Sequence, residues 1–151
     1  MKKLLALMSF IILAACTSDV VESNYATLAE ARADQLFGRG WLPDVLPASA
    51  FNIRTSNNVD LNQSEGEFSF RSVDSGELFQ RLHRGPPDAV PYPEYSANIS
   101  AQASLGYSVW SLQKEQATWV FFCRASEGRC IYTMWLDRQV PNKSKNGGRV
   151  T

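Results

Sequence analysis

Histidine is almost absent from this 151-residue chain, where His83 stands alone. Any zinc site or catalytic triad built on imidazole would have to pass through that one residue. Cysteine is sparse: Cys16, Cys123 and Cys130 complete the set, and no Cys-x-x-Cys pair occurs. Excess charge is missing, since 15 basic side chains face 15 acidic ones. That balance provides no strong field for a phosphate backbone, and no nucleic-acid partner is expected. Neither a Gly-x-Ser-x-Gly elbow, nor a Walker loop, nor a paired metal-ligand spacing appears, which removes the commoner nucleophilic and nucleotide mechanisms. No cofactor or metal is expected. Long apolar runs are lacking as well: none reaches the roughly 20 residues that span about 30 Å of hydrocarbon. Without internal repeats, the length fits one domain with a modest core.

The N-terminus carries the clearest signal. Met1, Lys2 and Lys3 precede a twelve-residue apolar run from Leu4 to Ala15, broken only by Ser9. A cationic start followed by a short apolar stretch is the architecture of a cleaved secretory leader. Its end, Leu13-Ala14-Ala15-Cys16, resembles the lipobox of bacterial lipoproteins. The resemblance implies diacylglycerol on the Cys16 thiol, cleavage between Ala15 and Cys16, and acylation of the new amine. An ordinary leader whose Cys16 enters a disulfide is the alternative. One acyl chain binds a membrane marginally at about 0.8 kcal/mol per buried methylene, whereas two or three hold firmly. Thr17, rather than Asp, follows the modified cysteine, and by the same resemblance this implies the outer membrane, facing the periplasm. Removal of Lys2 and Lys3 with residues 1–15 leaves 13 basic against 15 acidic side chains, a net of minus two.

With lipid on Cys16, Cys123 and Cys130 remain as an even pair in an exported compartment, and a disulfide between them is expected. Both flanks are strand-like, so the bridge would clamp the mouth of a hairpin. A redox pair or metal ligands are the alternatives; the spacing and the single histidine favour a structural staple.

Residues 16–24 are read as the lipidated N-terminus and a polar tether, 25–138 as a single globular domain, and 139–151 as a disordered basic tail. Thr27-Leu28-Ala29-Glu30 has capping-box spacing and predicts a helix over 28–37, stopped at Gly38. Two prolines in Gly40 to Pro47 predict an ordered, partly buried connection. A short strand is expected at 50–55, turn chemistry at 57–62, and a half-buried strand at 67–71 with Phe68 and Phe70 inward. Asp74-Ser75-Gly76-Glu77 offers a second cap, for a helix ending near His83, where the imidazole would complement the helix dipole. Residues 85–98 hold four of the seven prolines and are read as a surface loop. Three aromatic and β-branched runs, 107–112, 118–123 and 130–136, predict a β-meander. If Cys123 opposes Cys130, Phe121 lies beside Tyr132 and Trp119 beside Met134 on one face, with Phe122 beside Ile131 and Thr118 beside Trp135 on the other. The expected fold is α+β: a four- to five-stranded antiparallel sheet, two short helices, and a C-terminal meander stapled by the disulfide.

Arg39-Gly40-Trp41-Leu42-Pro43, Leu46-Pro47-Ala48-Ser49-Ala50, Ile53, and Asp60 with Asn62 together resemble a motif of small bacterial envelope proteins, the YbbD-head-like lipoproteins. The similarity covers about residues 25–71, followed by a looser match of strands to the C-terminal hairpin. It implies a shared fold and no particular activity. Where many such sequences read His-Asp-Leu-Asp-Thr-Asn, this one has Asn57-Asn58-Val59-Asp60-Leu61-Asn62, without the histidine and one acid.

Sharper chemical readings are few. Asp60, Asn62 and Ser64 open like a calcium loop, but Glu65 and Arg71 stand where the loop needs its bend glycine and closing glutamate, so an Asx-turn network is expected. A glycosidase would need two carboxyls flanking the bond, and Glu65, Glu67, Asp74 and Glu77 are the candidates by proximity. Trp41, Tyr92 and Tyr95 are the candidate binding aromatics, along with whichever of Trp110, Trp119 and Trp135 faces out. The leading expectation is a non-catalytic envelope lipoprotein that binds an envelope protein or cell-wall glycan. A carboxylate-dependent cell-wall hydrolase and a lysozyme-inhibitor-like protein are the alternatives.

Overall fold

The computed structural model describes residues 19–139. The expectations placed on the leader, on Ala15 and Cys16, and on the tail beyond Gln139 lie outside these residues. Chain order is β1 (Val20–Thr27), α1 (Leu28–Ala33), β2 (Phe51–Asn58), β3 (Gln63–Ser69), α2 (Ser75–Phe79), β4 (His83–Arg84), α3 (Pro93–Ser104), β5 (Ser108–Lys114), β6 (Ala117–Arg124) and β7 (Arg129–Leu136). All seven strands join one antiparallel sheet in the order β1-β2-β3-β7-β6-β5-β4.

The sheet is therefore wider than the four or five strands expected. Two strands escaped the sequence reading for different reasons. β1 occupies part of the segment read as tether, because its polar Glu22, Ser23 and Asn24 suit an edge strand with one side open to water. β4 has only two residues, too few for any periodicity. A third α-helix was also missed: residues 93–98 belong to α3, not to a loop. Pro93 sits in its first turn, where the absent N–H would have no intrahelical partner anyway.

Helix ends fall earlier than predicted. The Thr27 cap of α1 forms, with Oγ1 accepting from the Glu30 N–H at 3.2 Å, while the Glu30 carboxylate reaches one residue past the cap and accepts from the Ala26 N–H at 2.8 Å. Gln35 then takes a left-handed φ of 60°, which ends the helix before Gly38 and turns Leu36 fully into the core. The second helix stops at Phe79, and Asp74 binds the Arg71 guanidinium at 2.9 Å without capping it. His83 accordingly lies exposed on β4, opposite Ser111, not at a helix end.

In the meander, sequence and structure agree pair by pair. Phe121 opposes Tyr132, Trp119 opposes Met134, Phe122 opposes Ile131, Thr118 opposes Trp135, and Cys123 is bonded to Cys130. One face packs Phe68, Phe121, Tyr132, Met134 and Trp119 beneath α1 and the irregular segment that follows it, with Leu36, Leu42 and Leu46 buried. The other face packs Val120, Phe122 and Trp135 under Ile99 of α3. The disulfide spans a separation of only seven residues. Closing so short a loop stabilises by about 2.5 kcal/mol on the chain-entropy model. Replacing both cysteines by serine should lower the unfolding free energy by that amount in equilibrium urea unfolding, with the fold retained.

Candidate functional site

Helix α3 covers only part of its face of the sheet. Its apolar residues sit over β6 and β7, and the same face of β1, β2 and β3 is left open. Strand alternation sends every second side chain of these three strands to that face. Cross-strand rows follow from the register: Glu22, Ser56, Glu65 and Thr133 form one, and Asn24, Arg54, Glu67 and Ile131 the next. Tyr95 and Asn98 of α3 supply the opposite wall, giving a groove of about 500 Å³. A smaller depression of about 200 Å³ shares Ser56, Glu65, Tyr95 and Thr133 and reaches Val20, Asn58 and Gln63.

Charge within the groove is unevenly satisfied. Glu67 accepts from the Arg129 guanidinium and, at 3.0 Å, from Arg54. Hydrogen bonding and charge from Arg129, helped by Arg54, hold its carboxyl below the usual glutamate range. Among the described residues Glu22 and Glu65 take part in no ion pair. Tyr95 packs its ring 4.8 Å from that of Trp135 and stacks on Tyr92 at 6.3 Å. Burial raises its phenol above the ordinary tyrosine range, against an opposing hydrogen bond with Thr133. Tyr92 is 47% exposed and adjoins the groove through Tyr95.

Of the three candidate binding aromatics, Tyr92 and Tyr95 come together here, whereas Trp41 lies across the sheet. There it lines a second groove, of about 520 Å³, with Phe37, Asp44, Asn62 and Leu136. Trp119 and Trp135 are core residues, and Trp110 stacks on Phe79 at 4.3 Å. Among the carboxylates, Glu65 and Glu67 line the α3-side groove; Asp74 and Glu77 do not. In the turn at 57–62, Asn58 Oδ1 accepts from the Leu61 N–H at 2.9 Å, an Asx-type arrangement. A hydrogen bond between the Asp60 and Asp19 carboxyls, with repulsion between their charges, raises the pKa of Asp60. No group of three or more His, Cys, Asp or Glu side chains among the described residues is placed to hold a metal ion.

The sequence reading passed over Glu22, Asn24, Arg54, Ser56 and Asn98 as groove residues. A signal existed, because polar residues recur at every second position in β1, β2 and β3. It becomes a site only once three strands are known to be neighbours.

Fold and groove define a small antiparallel α+β domain with one half-covered polar sheet face. Residues 19–69, from the threshold of β1 to the end of β3, match the family model of the YbbD head domain. The chain is similar to that head domain over the strands that form the open half of the groove floor. No curated protein matches the chain, and no solved structure does.

Proposed function

We propose that this chain is a bacterial lipoprotein, anchored through lipid on Cys16 to the outer membrane and facing the periplasm. Its folded part is a non-catalytic binding module for cell-wall glycan. The observation that carries the reading is the groove itself, where the exposed Tyr92 ring adjoins Tyr95 and a floor of carboxylate, amide and hydroxyl groups. Sugar rings present apolar C–H faces that stack on aromatic rings, and hydroxyl edges that need hydrogen-bond partners. Hydrolysis of the same polymer would require a carboxylic acid kept protonated near neutral pH. Glu67 is displaced the other way.

Binding of soluble peptidoglycan fragments to the full chain, measured by calorimetry, tests this. Tyr92→Ala and Glu65→Gln should each weaken binding roughly ten-fold, the equivalent of about 1.4 kcal/mol. A parent protein that retains no fragment, or variants that bind as tightly as the parent, would refute the assignment. Release of reducing ends would turn it into a hydrolase. For the anchor, Cys16→Ser should abolish metabolic palmitate labelling and move the protein out of the membrane fraction; unchanged labelling would remove the lipoprotein reading.

A further inference from the structure

The two edges of the sheet differ. On one side the edge strand β4 has only two residues and runs into Gly85-Pro86-Pro87, so little unpaired backbone is offered. On the other, β1 runs for eight residues, Val20 to Thr27, without proline or lysine, and pairs with β2 at every position from Val20 to Tyr25. Odd-numbered residues of this strand face β2 with their backbone groups: the Asp19 carbonyl accepts from Val59 N–H at 3.0 Å at the strand's start. Even-numbered residues therefore turn their N–H and C=O outward. Ala26 fits this rule, because its N–H goes to the Glu30 carboxylate and not into the sheet. Among the described residues, the outward groups of Val20, Glu22 and Asn24 have no such guard.

We infer that the β1 edge is a self-association surface and that a second copy of this chain adds its own β1 antiparallel to it. The strand sequence suits itself in that pairing. Centred on Ser23, a two-fold axis normal to the sheet sets Glu22 opposite the partner copy's Asn24, Val20 opposite Ala26 and Val21 opposite Tyr25. Glu22 and Asn24, with their outward backbone groups, then face one another, as the hydrogen-bonded positions of an antiparallel ladder must, while the Ala26 N–H stays with the Glu30 carboxylate at the end of the seam. Glu22, the strand's one charge, stands opposite Asn24 and meets its own copy only on the diagonal. Val21, 51% exposed on the isolated sheet, gains an apolar neighbour across the seam. Glu22 and Asn24 also line the α3-side groove. Pairing at this edge makes the two grooves continuous, so that two sites share one extended floor.

In the full chain expressed in its envelope, Ser23→Cys places two thiols opposite each other in a pair of the kind whose Cα atoms lie about 4.5 Å apart, within disulfide reach. Non-reducing electrophoresis should show a covalent dimer roughly ten-fold more abundant than for Val21→Cys, whose symmetry mates lie out of register. The unsubstituted chain measures any contribution from the native cysteines. Asn24→Pro removes only an outward N–H, which an edge strand tolerates. Added to Ser23→Cys, it should abolish the covalent dimer while circular dichroism stays that of the parent. Equal cross-linking of Ser23→Cys and Val21→Cys, absence of a dimer in both, or capture of a different envelope protein by the thiol of the Ser23→Cys variant would each overturn the assignment.

Discussion

Gly66→Ala should destabilise the domain by about 3 kcal/mol, although it adds a single methyl group. Gly66 lies in β3 between Thr55 of β2 and Tyr132 of β7. A Cβ built there would stand 2.1 Å from the Arg54 carbonyl oxygen and 2.8 Å from Cε1 of Tyr132. The first contact is with backbone, which can yield only if β2 and β3 separate. The second is with a ring that cannot swing aside, since Tyr132 is buried and its hydroxyl lies 3.0 Å from Ser64 Oγ. Ser64 Oγ in turn donates to Asn57 Oδ1 at 2.7 Å, and Asn57 Nδ2 donates to Thr55 Oγ1 at 3.3 Å. Shifting the ring would break into a buried polar network, where unmet hydrogen bonds are costly. Gly76→Ala makes the same chemical change in α2 with nothing within 4 Å of the new methyl. It should stabilise by about 0.5–1 kcal/mol, because alanine has less chain entropy to lose in a helix. Urea unfolding of both variants checks the pair; a Gly66→Ala midpoint equal to the parent's would show that these strands part without cost.

That contrast marks the limit of what local sequence discloses. The last hairpin was legible down to its register because β6 and β7 are largely buried on both faces, so aromatic and β-branched residues dominate them, and a disulfide fixes which residues oppose. Cap chemistry at Thr27 and Glu30 was legible because it depends on four consecutive residues. β1 was not, since a strand whose polar residues face an open groove has the composition of a linker until a neighbour is known. α3 was hidden by Pro91 and Pro93, which read as breakers although the second is a helix start. The groove shares the fate of β1. Glu65 and Glu67 stand out as carboxylates, but Glu22 lies far away in the chain and joins Glu65 only through Ser56 on the strand between them. Of the aromatics singled out, Tyr92 and Tyr95 stand together beside the α3-side groove, and Trp41 lines a different groove. The sheet puts it on the other side.

Trp119→Ala should be as damaging as any truncation in the core, at about 4 kcal/mol, while Trp119→Phe should cost about 1–2 kcal/mol and act locally. The two faces of the sheet are covered by different means, and this is why Trp119 matters. On one face the 12-residue α3 provides the cover with its own internal hydrogen bonds. On the other, much of the cover comes from residues 34–50, a stretch with no strand or α-helix that nevertheless buries Leu36, Leu42 and Leu46. Backbone in such a segment needs partners from outside itself, because buried carbonyls left unpaired are costly. Trp119, 4% exposed on β6, provides one by donating its indole N–H to the Trp41 carbonyl at 3.1 Å. Alanine removes both the packing and this pin. Phenylalanine retains most of the apolar contact and deletes the pin alone, leaving the Trp41 carbonyl without its indole partner. Hydrogen exchange should therefore report faster opening across residues 36–46 in Trp119→Phe, with β6 and β7 protected as in the parent. If exchange instead rose uniformly over the sheet, the indole would be a general element of the core and not the tie that holds this irregular segment down.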